Sequence, residues 1–418
     1  MKHLIIFCLS LFAASVLFAQ PKTKKTVYII IDGIPADVIE KVNPVHMNEI
    51  AKAGGYAHAM VGGEKNGYSQ TPTISAVGYN SILTGTWVNK HNVWDNDIQD
   101  PNYNYKSIFR ILKENNPEKK IGIFSSWTDN RTRLVGDDLA ATGNIHFDYK
   151  FDGLELDTVN YPHDKESAYM HNIDTKVAEV AASSIKTNAP DLSWVYLEYT
   201  DDMGHKYGDS PQFYKAIKYA DDYVGQIWQA IQYREKNFNE DWLIIITTDH
   251  GRTAETGKGH GGQSDRERAG WIFTNAKNLN GYFKNNQASI VDIFPTIARF
   301  MNLQIPLETA REVDGVPLIG ALSLTNAAAQ YKDGIITIGW QAKAKAGSVK
   351  IWASATNNYK EGGEDKFELL KTVPLADKMA TLNVKDMPSA FYKLFLQGPD
   401  NNLNRWVILN NKTADKTN

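Results

Sequence analysis

Cysteine is nearly missing from this sequence: among 418 residues there is one, Cys8, inside the first apolar run. It lacks the small residues just before it that a lipoprotein attachment site needs. Disulfide frameworks and thiol chemistry are thereby excluded for the rest of the chain, which must be held by its core, by metals or by both. A bias of charge is missing too. Lys and Arg number 45 against 48 Asp and Glu, a formal net charge of −3, so nothing signals the basic patch of a nucleic-acid binder, and no nucleic-acid polymer is expected as a partner. After the first twenty residues no uninterrupted apolar stretch approaches the length that spans a bilayer. Internal repeats and low-complexity tracts are absent as well.

What is present begins with MKHLIIFCLSLFAASVLFAQ, which has a basic start at Lys2, an apolar run through Phe18 and small residues ending at Ala19. That is the pattern of a cleavable secretory signal over residues 1–19, which predicts export to the periplasm or outside the cell. The remaining length suits a large α/β domain, expected over 20–328, with a small appendage over 329–418.

Three runs read as strands buried on both faces of a parallel sheet: TVYIII ending at Ile31, SWVYLEY ending at Tyr199 and WLIIITT ending at Thr248. Each leads into an aspartate. Helical patterns alternate with them: SAVGYNSILTG, KESAYMHNIDTKVAEVAASSIK, and SPQFYKAIKYADDYVGQIWQAIQYREK with Asp209 or Ser210 as its cap. The alternation predicts a doubly wound, mostly parallel sheet, with ASIVDIFPTIARFMNL as its last core helix. From about Gln330 the texture changes to short alternating runs, IITIGWQA, SVKIWAS, FELLKTV, ATLNV, FYKLFLQG and RWVIL, separated by turn residues. That rhythm predicts a small β-sandwich, with a stabilising or spacing role.

In open parallel sheets the ligand site lies beyond the carboxyl ends of the strands. Asp32 in IIIDG, Asp201 in EYTDDMGH and Asp249 in TTDHG therefore converge on one crevice. Singly, each is as well explained as a turn former or cap; three together are not. His250 follows Asp249 directly, His205 comes four positions after Asp201, and His260 sits in the flexible loop GKGHGGQ. Asp201, His205 and His260 compose an Asp/His/His set, a common hydrolytic zinc shell, and Asp32, Asp249 and His250 compose a second. Two zinc ions are expected, because a pair of metals can clamp both the attacking and the leaving oxygen of an in-line displacement. The nucleophile is sought in SQTPTISAVGYNSILTG, at a helix N-terminus, and Ser75 is the choice. The helix dipole, and a zinc bound directly to the hydroxyl, would favour its alkoxide. An ordinary N-cap is the alternative role for Ser75, and Thr71, Thr73 and Ser81 are the competing hydroxyls.

The order Asp, then Ser before a helix ending in Leu-Thr-Gly, then Asp-x-x-Gly-His, Asp-His-Gly and His-Gly resembles the type I phosphodiesterase/nucleotide pyrophosphatase group of the alkaline phosphatase superfamily. The resemblance covers roughly residues 26 to 320. It implies an alkaline phosphatase-like fold, Ser75 as nucleophile where the family often has Thr, and Asp201, His205 and His260 on one zinc. Asp32, Asp249 and His250 fall on the other zinc, with Ser75 close to it. It also implies an asparagine that donates to a non-bridging phosphate oxygen; Asn96 in HNVWDN takes that place, with Asn92 as its rival. The chain departs from the family at Ala76, Val77, Gly78 and Tyr79, where diesterases often have Phe-Pro-Asn-His, so the pocket wall beside the nucleophile differs. In SSWTDNRTR no lysine stands where monoesterases of the superfamily often carry Lys-x-Arg, leaving Arg131 and Arg133 as a partial clamp or as surface charges.

The expected activity is zinc-dependent hydrolysis of phosphodiester or pyrophosphate bonds in a small-molecule ester, through a phosphoseryl intermediate. The alternatives are a phosphomonoesterase on the same site, a sulfatase, for which the residues after Ser75 offer neither the proline nor the arginine, and a catalytically silent binding protein. Residues 97 to 190, with Trp127, Tyr161 and Tyr169, are expected to overhang the crevice, those aromatics as packing.

Overall fold

Strand β1 (Thr23–Ile31) is rich in β-branched residues and buried from Lys25 onward, as a strand covered on both faces must be. The computed structural model to which it belongs describes residues 20–409. Residues 1–19, read above as a signal, lie outside the described residues.

The other strands of the same sheet are β2 (Gly55–Met60), β3 (Ile121–Ser125), β4 (Tyr149–Phe151), β5 (Leu192–Leu197), β6 (Glu240–Thr247), β7 (Ala269–Thr274) and β8 (Ala288–Ser289). Their order is β4-β3-β5-β1-β6-β7-β2-β8. All neighbours run parallel except at β7, which is antiparallel to both β6 and β2. Helices cover both faces. Those starting at Ser75, Ile108 and Ile293 pack into one apolar layer with Tyr28, Trp194 and Ile245; those starting at Val45, Ala168 and Pro211 pack into the other with Val27, Ile29 and Ile244. This is the expected mostly parallel α/β architecture. Among the described residues no helix is long and apolar enough to cross a membrane.

The register of the three central strands positions the site. Ile31 is opposite Leu197, and Ile30 is opposite Thr247. One or two residues further along, the chain leaves all three strands at one level, so Asp32 and Asp249 emerge side by side. The strand read through Tyr199 stops instead at Leu197, and Tyr199–Tyr207 is a helix. The Asp174 carboxylate accepts the backbone N–H groups of Glu198 (3.1 Å) and Tyr199 (2.9 Å), satisfying donors that the ladder would otherwise hold and turning the chain into that helix. Asp201 therefore sits in the first turn of a helix, not at a strand end. In the long helix Pro211–Asn237, Ser210 rather than Asp209 is the cap, accepting from Phe213 N at 3.3 Å.

Seven further strands form the C-terminal part: β9 (Leu324–Lys332), β10 (Ile335–Ala342), β11 (Ser348–Ser354), β12 (Glu368–Pro374), β13 (Met379–Asn383), β14 (Phe391–Gln397) and β15 (Asn402–Ile408). They make two antiparallel sheets, β13-β10-β9 and β12-β11-β14-β15, around a core that includes Leu324, Ile336, Ile338, Ile351, Leu394 and Leu396. Six of these strands follow the alternating runs of the sequence. The other, β9, starts at Leu324, ahead of the change of texture; residues 325–330 carry a stretch of alanine and no alternation of large residues, so the sequence does not announce it.

Candidate metal centre

Asp32 follows β1, Asp249 and His250 follow β6, and Asp201 and His205 lie one turn apart on the helix Tyr199–Tyr207, where i and i+4 share a face. His260 reaches them from a loop fixed by a clamp. Its Nδ1 is 2.9 Å from the Thr73 carbonyl, the Gly261 N–H donates to Thr73 Oγ1 at 2.9 Å, and that hydroxyl donates to Gly262 O at 2.9 Å. The loop is thereby fastened to the residues that lead into Ser75.

The side chains converge closely. His250 Nε2 lies 3.3 Å from Asp32 Oδ1, 3.2 Å from Asp249 Oδ2 and 3.3 Å from Ser75 Oγ. The His250 and His260 rings stack with centroids 3.8 Å apart. His260 Nε2 is 3.0 Å from His205 Nε2 and 4.0 Å from Asp201 Oδ1, and His205 Nε2 is 3.2 Å from Asp201 Oδ2. Two overlapping groups fit a metal ion, Asp32/Asp249/His250 and Asp201/His250/His260. His250 thus stands between the two sets that the sequence kept apart, and His205 closes the outer side.

The donor set suits a cation. His250 Nδ1 faces the Gly251 carbonyl at 2.9 Å, and His260 Nδ1 faces that of Thr73. Carbonyls only accept, so both Nδ1 atoms carry the proton and both Nε2 atoms present lone pairs to the cluster. Asp32 Oδ1 and Asp249 Oδ2 are buried with no hydrogen-bond partner. Orphaned oxygens and inward lone pairs around one point are costly unless a metal completes them. The electrostatics agree. Burial, followed by the charge of Asp201, pushes the Asp32 carboxyl up to about 7, and burial followed by Asp32 pushes Asp249 well above the carboxylate range. Burial, then the neighbouring His260, pushes His250 well down. Burial works against ionisation of Asp201 too, but the Arg252 guanidinium, and after it His205, hold that carboxyl well below its usual range.

Ser75 is the first residue of the helix Ser75–Thr84, whose N-cap is Ile74, and its hydroxyl faces His250 rather than capping the backbone. The rival hydroxyls are committed to packing. Thr71 donates to Ser69 O, Thr73 to Gly262 O and Ser81 to Val77 O. Asn96 Oδ1 accepts the Ala76 N–H at 3.0 Å, so the amide sits at the same helix N-terminus. Asn92, the rival, has both ends of its amide engaged within its loop, to Asp100 O and from Trp94 Nε1. Arg131 is held by Asp152 and Asp137, and an Arg133 NH2 donates to Ile98 O at 2.6 Å. Trp127 packs edge-on to Tyr79, and Tyr161 and Tyr169 are half-buried against the core.

Sequence reasoning missed three side chains here. Tyr79 and Tyr196 both donate to Asp32 Oδ2, the latter at 2.7 Å, which leaves Oδ1 alone to face the cluster. Arg252, two positions after His250, is fully buried and bonds to Asp201 Oδ1 and three carbonyls, those of Gly33, Asp201 and Lys258. The available signal was the glycine of Asp-x-x-Gly-His. A Cβ on Gly204 would come 2.2 Å from the Arg252 guanidinium, so that position admits no side chain.

Comparison with known proteins follows the same outline. The chain is 25% identical over 231 residues to the venom phosphodiesterase CdcPDE of Crotalus durissus collilineatus, a match over 53% of this chain and 25% of that enzyme. It is 24% identical over 250 residues to human ectonucleotide pyrophosphatase/phosphodiesterase family member 1, over 55% of this chain and 24% of the relative. The matched part is thus about a quarter of the length of these curated relatives. Among solved structures, a putative sulfatase from Bacteroides thetaiotaomicron shares the fold with a TM-score of 0.52 at 11% identity, over 84% of this chain and 86% of that one. The profile of type I phosphodiesterase / nucleotide pyrophosphatase matches residues 26–265, more than half of the chain. On that match, and with the fold and the Asp/His cluster in agreement, the chain belongs to the type I phosphodiesterase / nucleotide pyrophosphatase family.

Proposed function

We propose that this protein hydrolyses phosphodiester or pyrophosphate bonds of small-molecule esters, with Ser75 as nucleophile and two zinc ions as its cofactors. The observation that carries the reading is the meeting of orphaned Asp32 Oδ1 and Asp249 Oδ2 with the His250 lone pair, 3.3 Å from Ser75 Oγ. Asp32, Asp249 and His250, with Ser75 beside them, would hold one ion, and Asp201, His205 and His260 the other. When bound, a pair of zinc ions lowers the pKa of a coordinated hydroxyl and neutralises charge on the attacking and departing oxygens.

The chain's own part is to place and orient. Ser75 Oγ lies at the positive end of its helix, where an alkoxide is favoured. It forms a bond to phosphorus in line as the bond to the departing oxygen breaks, leaving a phosphoseryl enzyme. Water then cleaves the Ser75 ester, returning the hydroxyl and releasing phosphate or a phosphomonoester. Asn96, oriented by its bond to Ala76 N, donates from Nδ2 to a non-bridging oxygen as charge grows there. Asp152 and Asp137 already neutralise Arg131, and Arg133 is turned to the Ile98 carbonyl with Asp129 at 3.6 Å, so both guanidinium groups are engaged away from the second negative charge of a monoester, which favours diesters. The basic start and apolar run of residues 1–19 support an exported enzyme, periplasmic or secreted.

The test is the ratio of kcat/KM for bis-p-nitrophenyl phosphate to that for p-nitrophenyl phosphate, on zinc-loaded protein with Ser75→Ala as the blank. A ratio well above one is expected. A ratio well below one would make the protein a monoesterase.

A further inference from the structure

Arg252 is a permanent cation sealed inside the candidate metal centre. Its side chain is 0% exposed, and its salt bridge, among the described residues, is to Asp201 alone. Backbone has been cleared to admit it: a Cβ on Gly204 would meet its Cζ and Nε at 2.2 Å, and one on Gly33 would meet an NH2 at 2.7 Å. Nε donates to Gly33 O, NH1 to Lys258 O and NH2 to Asp201 O, each at 2.8 Å, so the guanidinium is fixed against Asp201.

The two ligand sets therefore differ in charge. Asp32 and Asp249 bring two carboxylates to one neutral histidine, whereas Asp201, the carboxylate in contact with His205 and His260, is held in a salt bridge by Arg252. Asp202, next on the same helix, also faces His205 and Arg252, and Arg252 acts more distantly on Asp32 and His250. Once an ion displaces their protons, the two carboxylates of the first set offer it more charge than the one contacting carboxylate of the second, which Arg252 already pairs. Glu198 interacts with Asp32 and Asp201 alike and does not separate the two positions. Exposure adds to the contrast. The side chains of Asp32, Asp249 and His250 are 2%, 0% and 0% exposed, while that of His205 is 49% exposed, so water screens the outer position.

We propose that the two positions load unequally: Asp32, Asp249 and His250 hold a resident divalent ion, while Arg252 makes the Asp201/His205/His260 position a weaker, exchangeable one. The inference rests on the two-metal reading above and adds the order of binding and its cause.

The experiment is titration of the metal-free full chain with zinc, followed calorimetrically and by competition with a chromogenic chelator, so that stoichiometry and affinity are read without any assay of activity. Two phases are expected, with dissociation constants about a hundredfold or more apart. His205→Ala should delete the weak phase and spare the tight one, Asp32→Asn should damage the tight one, and Arg252→Met should bring the two together by strengthening the weaker. Arg252→Lys, which keeps the charge, should keep them apart, and serves if the methionine variant does not fold. Two equivalents bound in a single phase, or a weak phase abolished by Asp32→Asn and untouched by His205→Ala, would overturn the proposal while leaving the two-metal reading standing. Folded protein that takes up no zinc would overturn both.

Discussion

Buried charge is treated in opposite ways in the two parts of this molecule. Where the β-sandwich meets the α/β part, three carboxylates have a cation against them: Lys393 Nζ bonds to Glu312 and Asp365, both at 2.6 Å, and Lys90 Nζ to Asp314 at 2.6 Å and to Asn404 at 3.1 Å. At the ends of β1 and β6, Asp32 and Asp249 instead face each other with oxygens left over. The first arrangement sets a cation against each of these carboxylates, though Glu312 Oε2 keeps no hydrogen-bond partner among the described residues, and it fastens two layers together. The second leaves Asp32 and Asp249 without a cation in contact among the described residues, around inward lone pairs of histidine, and that is what makes it the candidate metal centre.

Four perturbations separate these roles. The largest effect is expected from Ser75→Ala, which should lower diesterase turnover by about 10⁴-fold or more with little change in the thermal midpoint. A variant that kept most of its activity would move the nucleophile elsewhere. Lys393→Met leaves Glu312 and Asp365 buried without their cation and should cost about 3–5 kcal/mol in urea unfolding, while the remaining folded protein keeps its kcat. A parallel loss of kcat at unchanged stability would make that interface part of the site. Asn96→Ala should reduce kcat by about 10²–10³-fold with the fold intact, the range for loss of one preorganised donor. A change in KM alone would restrict the amide to ground-state binding.

The smallest effect concerns pH. In the metal-free protein burial and the Asp201 charge push Asp32 up to about 7, against an ordinary value of 3.8. The folded state therefore keeps a proton that the unfolded chain gives up, and this group subtracts stability as pH rises from about 4 to about 7. Asp32→Asn cannot ionise. Its metal-free melting temperature should accordingly gain on that of the native protein between pH 5 and pH 8, and saturating zinc should reverse the order. Parallel melting curves for the two proteins across that range would mean Asp32 is not desolvated.

Much of the centre was legible in the sequence because its parts are short local patterns. Asp32 and Asp249 each end a run of buried β-branched residues, and such runs announce both the strand and the edge where it stops. Asp201 and His205 carry their own spacing of four. What could not be read was anything set by a partner far along the chain. The strand through Tyr199 was read two residues too long because the carboxylate that ends it belongs to Asp174, on another helix. β9 escaped because its small residues carry no alternation of their own, and the strand is defined by its pairing with β10 across the sheet. Tyr79 looked like a change in the pocket wall, and only the fold brings its hydroxyl to Asp32 together with that of Tyr196.

The sequence by itself determined the kinds of layer and the chemical nature of the donors, since periodicity, turn residues and ligand types are local properties of a chain. The tertiary structure alone decided which oxygens of those donors stay free, that His250 stands between the two sets, and that Arg252 shares Asp201 with the outer one. Those are matters of distance between residues that are remote in sequence, and distance is fixed only when the sheet sets its register.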